Sequence, residues 1–139
     1  MQYASLCKAL PTRQQFRRWV KAALDRDLHC TLRVVDEDEG RRLNRDFRGK
    51  DYATNVLTFV YDDTVPLSGD IVICAPVVER ESAEQGMQLL AHYAHLTLHG
   101  ALHLQGYDHE SEVGAAEMEA LETALMAKLG YPAPYEVTA

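Results

Sequence analysis

The chain has 139 residues, of which 47% are hydrophobic and 25% are charged, and its formal net charge is −7. This length suits one compact domain with a real hydrophobic core, and the composition excludes a disordered chain. No run of about 18 uncharged apolar residues occurs, and the first residues lack the apolar region of a secretion signal. We therefore expect a single cytoplasmic domain over residues 1–139.

The cysteines give the same indication about the compartment. Cys7, Cys30 and Cys74 are odd in number, lie far apart and form no CxxC pair. This pattern is typical of reduced thiols in a core rather than of disulfides or a thiolate metal site.

The first predicted elements are a weak edge strand near residues 2–7 and an amphipathic helix within residues 11–27. Apolar residues recur at helical spacing in the second segment, and Thr12 with Gln15 forms a capping-box start. This pattern predicts a first helix with one buried face.

The middle of the chain predicts strands and a short second helix. Residues 30–36 alternate between polar and apolar types, as a half-buried strand does. Asp36 with Glu39 can then cap a helix that ends at Gly49. Two further β-rich runs, bounded by turn residues, follow at 55–61 and 70–74.

From residue 75 onward the pattern is helical, with a break near Gly86 and a new start at Gln88. The segment from Gln88 to about Leu104 is rich in Leu and Ala and carries four histidines, so we expect a central buried helix. A last amphipathic helix is predicted at about 112–129. The order predicts an α+β domain, in which about four strands form a small mixed sheet packed with about five helices.

Three histidines in the sequence HGALHLQGYDH have the spacing of metal ligands. His99 and His103 lie four residues apart, so they share one helix face and can point at one ion. Gly106 can end the helix and let the chain fold back, so that His109 supplies a third nitrogen. Three neutral nitrogens with an open fourth position describe a catalytic zinc site at the end of the central helix.

Gly100 limits the chemistry of such a site. Zinc peptidases with the HExxH motif carry a glutamate general base at this position, and glycine cannot take a proton. The metal could still acidify its water and polarise an oxygen, which suits a substrate stabilised by positive charge, such as a phosphodiester.

Residues 41–50 supply that positive charge. The net charge of −7 argues against a nucleic-acid partner, but five cations are concentrated in these ten residues, at Arg41, Arg42, Arg45, Arg48 and Lys50. Arginine matches phosphate oxygens with its fork of donors. A solvated helix face is an equally good explanation of the cluster taken alone.

Together these segments resemble the YbeY family of bacterial zinc-dependent endoribonucleases, the ribosomal RNA maturation factors. The resemblance is carried by LNRDFRGKDYATNVLTF at 43–59, GDIVIC at 69–74, HGALHLQGYDHE at 99–110 and MEALE at 118–122. It implies cleavage of single-stranded RNA, maturation of the 3′ end of small-subunit ribosomal RNA and ribosome quality control. It also implies the small ribosomal subunit and ribosome-associated proteins as partners, and no binding to a membrane.

The same resemblance implies one Zn²⁺ per chain on His99, His103 and His109, and an essential role for Arg48. We therefore expect these four residues to form the catalytic site, with Arg48 stabilising the charge of the pentavalent transition state. Whether water or the RNA 2′-hydroxyl is the nucleophile stays open.

Several further residues have two interpretations. Asp108 could orient a ligand or only satisfy backbone amides, whereas Asp70 is expected to serve turn chemistry before a strand. Asn55 is expected to shape its loop. His92 and His95 are expected in the core, with at most an indirect contact to the metal.

Two other functions fit parts of the sequence. A zinc peptidase agrees with the histidine spacing and is opposed by Gly100. A ribosome-assembly factor with a structural zinc would need no RNA turnover, so cleavage by nuclease-free protein separates it from an enzyme.

Overall fold

The computed structural model describes residues 1–26, 28–61, 67–107 and 111–134. Within these residues the chain forms five helices: α1 (Arg13–Ala23), α2 (Glu37–Arg48), α3 (Ala75–Gln85), α4 (Leu89–Leu104) and α5 (Glu112–Lys128). It also forms four strands: β1 (Gln2–Ala4), β2 (Leu28–Val35), β3 (Val56–Tyr61) and β4 (Leu67–Cys74). The predicted α+β class, with a small mixed sheet, is confirmed.

The four strands form one sheet in the order β1-β2-β4-β3. β1 and β4 are both parallel to β2, whereas β3 runs antiparallel to β4, with Val56 opposite Ile73 and Tyr61 opposite Ser68. β3 is therefore an edge strand that begins beside the C-terminal end of β4 and ends beside its first residues.

The two faces of the sheet carry different helices. Ile71 and Ile73 of β4 pack in the main core with buried residues of α1, α4 and α5. The alternate residues Val72 and Cys74 form a second core with Leu43 of α2. Since successive side chains of a strand point to opposite faces, α2 and α4 cover opposite faces of the sheet.

α1 begins as the sequence predicts. Thr12 Oγ1 accepts a hydrogen bond from the Gln15 amide, and Gln15 Oε1 accepts one from the Thr12 amide, at 3.1 and 2.8 Å. Phe16 and Trp19 on the inner face are each 1% exposed. The capping box and the apolar face therefore place the helix against the core.

α2 begins differently from the prediction. Asp36 occupies the N-cap position but makes no side-chain capping bond. Its carboxylate instead accepts from the Ser5 hydroxyl and, at 3.0 Å, from the Leu6 amide. Glu39 pairs with Arg33 across 2.6 Å, so the predicted capping box of this helix is wrong. The side chains of Asp36 and Glu39 therefore connect α2 to the first residues of the chain and to β2.

The predicted end of α2 is confirmed. Gly49 has φ of 71°, and its amide donates to the Arg45 carbonyl at 3.0 Å. A left-handed residue at this position satisfies the last carbonyls of the helix, and glycine takes that conformation without a steric cost.

α4 is the central buried helix that the sequence predicts. It lies close to the sheet because two glycines remove side chains from the contact. A Cβ on Gly100 would come within 3.1 Å of Ile71 Cγ2, and one on Gly69 of β4 within 2.7 Å of Leu104 Cδ2. Position 100 thus faces the core.

The cysteines are free thiols, as predicted. Burial raises the pKa of Cys74 and of Cys30 to about 11. Both side chains therefore stay protonated at neutral pH and act as small apolar groups. In the described part of the chain, no helix combines the length and apolar character needed to cross a membrane.

Gly100→Glu should destabilise the protein by about 3 kcal/mol or more, because it overpacks the contact with Ile71 and buries a carboxylate. Urea unfolding followed by circular dichroism measures this loss. Gln14→Glu, which places the same carboxylate on the exposed face of α1, should unfold like the wild type. A Gly100→Glu protein of wild-type stability would contradict the packing described for α4.

Candidate metal centre

His99 and His103 lie one turn apart on α4 and present their rings to the same side. The ring centroids are 5.9 Å apart and the planes differ by only 14°. The side chain of His99 is 23% exposed although its helix is buried. The structure therefore brings these two predicted ligands together at a point that solvent reaches.

Glu122 of α5 holds the ring of His99. The Nδ1 atom of His99 lies 2.5 Å from Glu122 Oε1, and the Glu122 side chain is 0% exposed. A carboxylate this deeply buried requires a partner that carries a proton. His99 Nδ1 therefore donates, which is a short charge-assisted bond.

A backbone carbonyl holds the ring of His103 in the same way. His103 Nδ1 donates to the carbonyl oxygen of Tyr107 at 2.9 Å. Because a carboxylate and a carbonyl only accept, both histidines carry their proton on Nδ1 in the neutral form. Their basic lone pairs are then on Nε2, which leaves that nitrogen available to bind a metal.

The turn after α4 is fixed to the end of α1. Gln105 is 4% exposed, donates to the Ala23 carbonyl and accepts from the Asp25 amide, each at 2.8 Å. The Tyr107 hydroxyl donates to Asp25 at 2.9 Å, a bond that lowers the pKa of this carboxyl. Gly106 has φ of 101° between them, so the turn that the sequence predicts at this glycine is confirmed.

His95 joins His99 and Glu122 in a group that could hold a metal ion. One ligand atom from each of the three lies within 4.8 Å of the others. His95 Nε2 is 3.5 Å from Glu122 Oε2, and its side chain is 11% exposed. Glu122 therefore faces two histidines, one from each adjacent turn of α4.

His92 lies deeper, at the other end of the histidine row. Its Nε2 atom is 2.9 Å from Glu81 of α3, which also accepts from Asn55 Nδ2 at 3.0 Å. The side chain of His92 is 6% exposed. His92 is thus a buried, hydrogen-bonded histidine, and Asn55 fixes the loop before β3, as expected for both.

Arg48 lies apart from the histidines. It is the exposed last residue of α2, on the opposite face of the sheet from α4. Within the described residues its guanidinium makes no hydrogen bond or ion pair. Arg41, by contrast, forms a bidentate pair with Asp51 at 2.8 and 2.9 Å. The charge of Arg41 is therefore already neutralised by Asp51, whereas that of Arg48 is available to a phosphate.

Two residues of the predicted site lie outside the described part of the chain. These are His109, the third expected ligand, and its neighbour Asp108. Asp70 is described and differs from the prediction, because β4 starts at Leu67 and Asp70 lies within the strand rather than in a turn. Its carboxylate accepts from the Tyr61 hydroxyl.

Glu122 was missed by the sequence interpretation, although a signal was present. Met118, Glu122 and Met126 are the buried residues of α5 and follow one another at intervals of four. A charged residue in the middle of a buried stripe needs a hydrogen-bonding partner. That requirement, applied to the second glutamate of MEALE, Glu122, points to a partner on another buried element such as the histidine helix.

Comparisons with known proteins identify the family of the chain. A family model described as Endoribonuclease YbeY matches residues 5–130. Proteins named Endoribonuclease YbeY include one from Methylobacillus flagellatus, 60% identical over 135 residues that cover 97% of this chain and 91% of the relative. Another, from Aromatoleum aromaticum, is 64% identical over 125 residues, covering 90% of this chain and 81% of the relative.

A solved structure supports the fold. The solution structure of a Thermotoga maritima protein is similar with a TM-score of 0.55 and 30% identity, over 84% of this chain and 80% of that one. With a family model that spans most of the sequence and relatives of about this length, the chain belongs to the YbeY family of endoribonucleases.

Proposed function

We propose that this protein is a metal-dependent endoribonuclease that cleaves phosphodiester bonds in single-stranded RNA. The observation that carries the proposal is the paired orientation of His99 and His103, whose Nδ1 atoms are both held by acceptors. Membership of the endoribonuclease family supports RNA as the substrate.

We propose Nε2 of His99, His103 and His109 as the ligands of one Zn²⁺. Glu122 then acts on the metal through His99 rather than by direct ligation. Two ligand atoms of one tetrahedral zinc lie roughly 3.3 Å apart, given metal–nitrogen distances of about 2.0–2.1 Å. The contact of 2.5 Å between Glu122 and His99 is too short for that and is a hydrogen bond.

A bound zinc ion would supply Lewis acidity and a water molecule of lowered pKa. The protein supplies the orientation. Glu122 and the Tyr107 carbonyl hold the two rings, and the carboxylate makes His99 a more basic ligand. No carboxylate general base is provided at position 100, where the chain packs on Ile71.

Arg48 is proposed to bind a phosphate of the RNA. Its guanidinium has no partner within the described residues, so it can form charge-assisted bonds to a phosphate without breaking a pair. Because α2 and α4 cover opposite faces, a strand that meets both Arg48 and the histidines has to pass around the sheet, and β3 is the edge strand beside the end of α2, where Phe47 contacts Phe59. A flexible single strand can follow such a path.

The two alternatives have less support. A peptidase would need a base that the glycine cannot provide. In an assembly factor, a structural zinc would be enclosed by four protein ligands, whereas the side chain of His99 is 23% exposed.

The resemblance to the family supports a finer role in the cytoplasm. We propose maturation of the 3′ end of small-subunit ribosomal RNA and ribosome quality control, with the small ribosomal subunit as partner. This role is tested by giving the same enzyme two substrates, naked RNA and RNA on isolated small subunits, and comparing their cleavage.

One zinc per chain should be found by elemental analysis, and His103→Ala should lose it. Because the ion binds only the folded site, its removal by a chelator should also lower the melting temperature of the wild type. His29→Ala, which removes an exposed histidine of β2, should keep the metal. Full zinc occupancy in His103→Ala would refute the ligand assignment.

Glu122→Gln should weaken zinc binding about 10- to 100-fold, since a neutral acceptor makes His99 a weaker ligand. Competition with a chromophoric chelator measures the affinity. Glu119→Gln, on the exposed side of α5, is the matched control and should bind like the wild type. Unchanged affinity in Glu122→Gln would show that the buried carboxylate does not act on the metal.

Arg48→Ala should lower kcat/KM for a single-stranded RNA about 100-fold, through the loss of charge-assisted hydrogen bonds to a phosphate, with zinc content and melting temperature unchanged. Arg41→Ala removes the same charge from the same helix, but Asp51 already neutralises Arg41, so its effect should be several-fold smaller. Both rates are measured on nuclease-free protein with a labelled oligonucleotide. Equal losses in the two variants would indicate a general charge effect and no specific role for Arg48.

A further inference from the structure

Beyond the end of α2, one face of the sheet is open to solvent and carries aromatic side chains. Phe47, the residue before Arg48, is 67% exposed, and Tyr61 at the end of β3 is 49% exposed. Phe59 lies two residues before Tyr61 and so on the same face of the strand. These three rings, Phe47, Phe59 and Tyr61, are called the aromatic ledge below.

The rings of the ledge are held in place. The centroids of Phe47 and Phe59 are 5.3 Å apart with planes at 70°, an edge-to-face contact. The Tyr61 hydroxyl donates to Asp70, which lies directly opposite Phe59 in the ladder. Phe59 packs against the second core and supports the other rings, whereas Phe47 and Tyr61 keep exposed apolar surface that suits a partner with flat faces.

The charges beside the ledge select the kind of partner. Arg48 and Lys50 follow Phe47 in the chain by one and three residues, and their side chains form no ion pair within the described residues. They bring two positive charges to the end of α2 that carries Phe47, in a chain whose net charge is −7. Asp70 places a negative charge beside Tyr61, so a neutral base rather than a phosphate must lie there. A cation row beside neutral rings matches the backbone and bases of a nucleic acid.

We propose that the aromatic ledge stacks unpaired bases of the RNA while Arg48 and Lys50 bind the adjoining phosphates. This inference rests on the proposed function and adds a reason for single-strand selectivity. Bases in a duplex have their faces covered by neighbouring pairs, so only an unpaired strand can use the ledge. Because β3 is the edge strand, the bound chain can continue around it to the histidines on the other face.

The test is binding of a fluorescent 12-nucleotide single strand of 2′-O-methyl RNA to the zinc-loaded protein, followed by anisotropy and checked for intact RNA on a gel. Phe47→Ala should weaken binding about tenfold, the usual effect of one lost stacking contact. Phe47→Tyr should restore it. Leu6→Ala removes an apolar side chain that is 91% exposed next to β1, at the far edge of the sheet, and should bind like the wild type.

Two further measurements separate stacking from charge. The salt dependence of binding should keep its slope in Phe47→Ala, whereas Arg48→Ala should reduce the slope by about 0.7, the value for one phosphate contact on a single strand. On a strand with abasic sites, which keeps the phosphates, Phe47→Ala and wild type should bind equally.

The outcomes distinguish failure of the stacking role from failure of the proposed endoribonuclease function. If the wild type binds and cleaves single-stranded RNA but Phe47→Ala binds as tightly, the stacking role of the ledge is refuted and the proposed endoribonuclease function is retained. A Phe47→Ala defect of the same size on the abasic strand also rules out stacking. If the wild type neither binds nor cleaves, the proposed function fails and the ledge with it.

Discussion

The close contact between α4 and the sheet is the constraint on which the other features depend. Gly100 lets the helix axis approach Ile71, and Gly69 makes room for Leu104. A helix pressed this closely on a sheet is buried on most sides. Its four histidines must therefore be satisfied by protein groups or by a ligand, since buried polar atoms without partners are costly.

The groups that accept hydrogen bonds from three of these histidines also orient them. Glu81 accepts from the deepest one, Glu122 from His99, and the Tyr107 carbonyl from His103. Burial alone explains why these acceptors are present. Their placement on Nδ1 in the two outer histidines has the further consequence that Nε2 of each is the basic atom. Stability and metal chemistry thus depend on the same contacts.

The sequence predicts the elements well because their signals are local. Helical periodicity, the capping box at Thr12 and the glycine at position 49 each depend on a few neighbouring residues. Prediction from the sequence fails where a partner distant in the chain competes for a side chain. Asp36 leaves its helix cap for Ser5 and Leu6, and Glu122 serves a helix some twenty residues earlier in the chain. The spacing of His99 and His103 predicts a shared face but gives no information on which nitrogen carries the proton.

The position of Arg48 shows the same limit. Its segment predicts a residue that stabilises transition-state charge beside the histidines, whereas α2 lies on the opposite face of the sheet from α4, so we propose that Arg48 binds a phosphate along the path of the RNA. Anomalous diffraction at the zinc edge, from crystals of the zinc-loaded protein, tests the account most directly. We expect an ion bound by Nε2 of His99, His103 and His109, with Glu122 on Nδ1 of His99. A Glu122 oxygen bonded to the ion would contradict it.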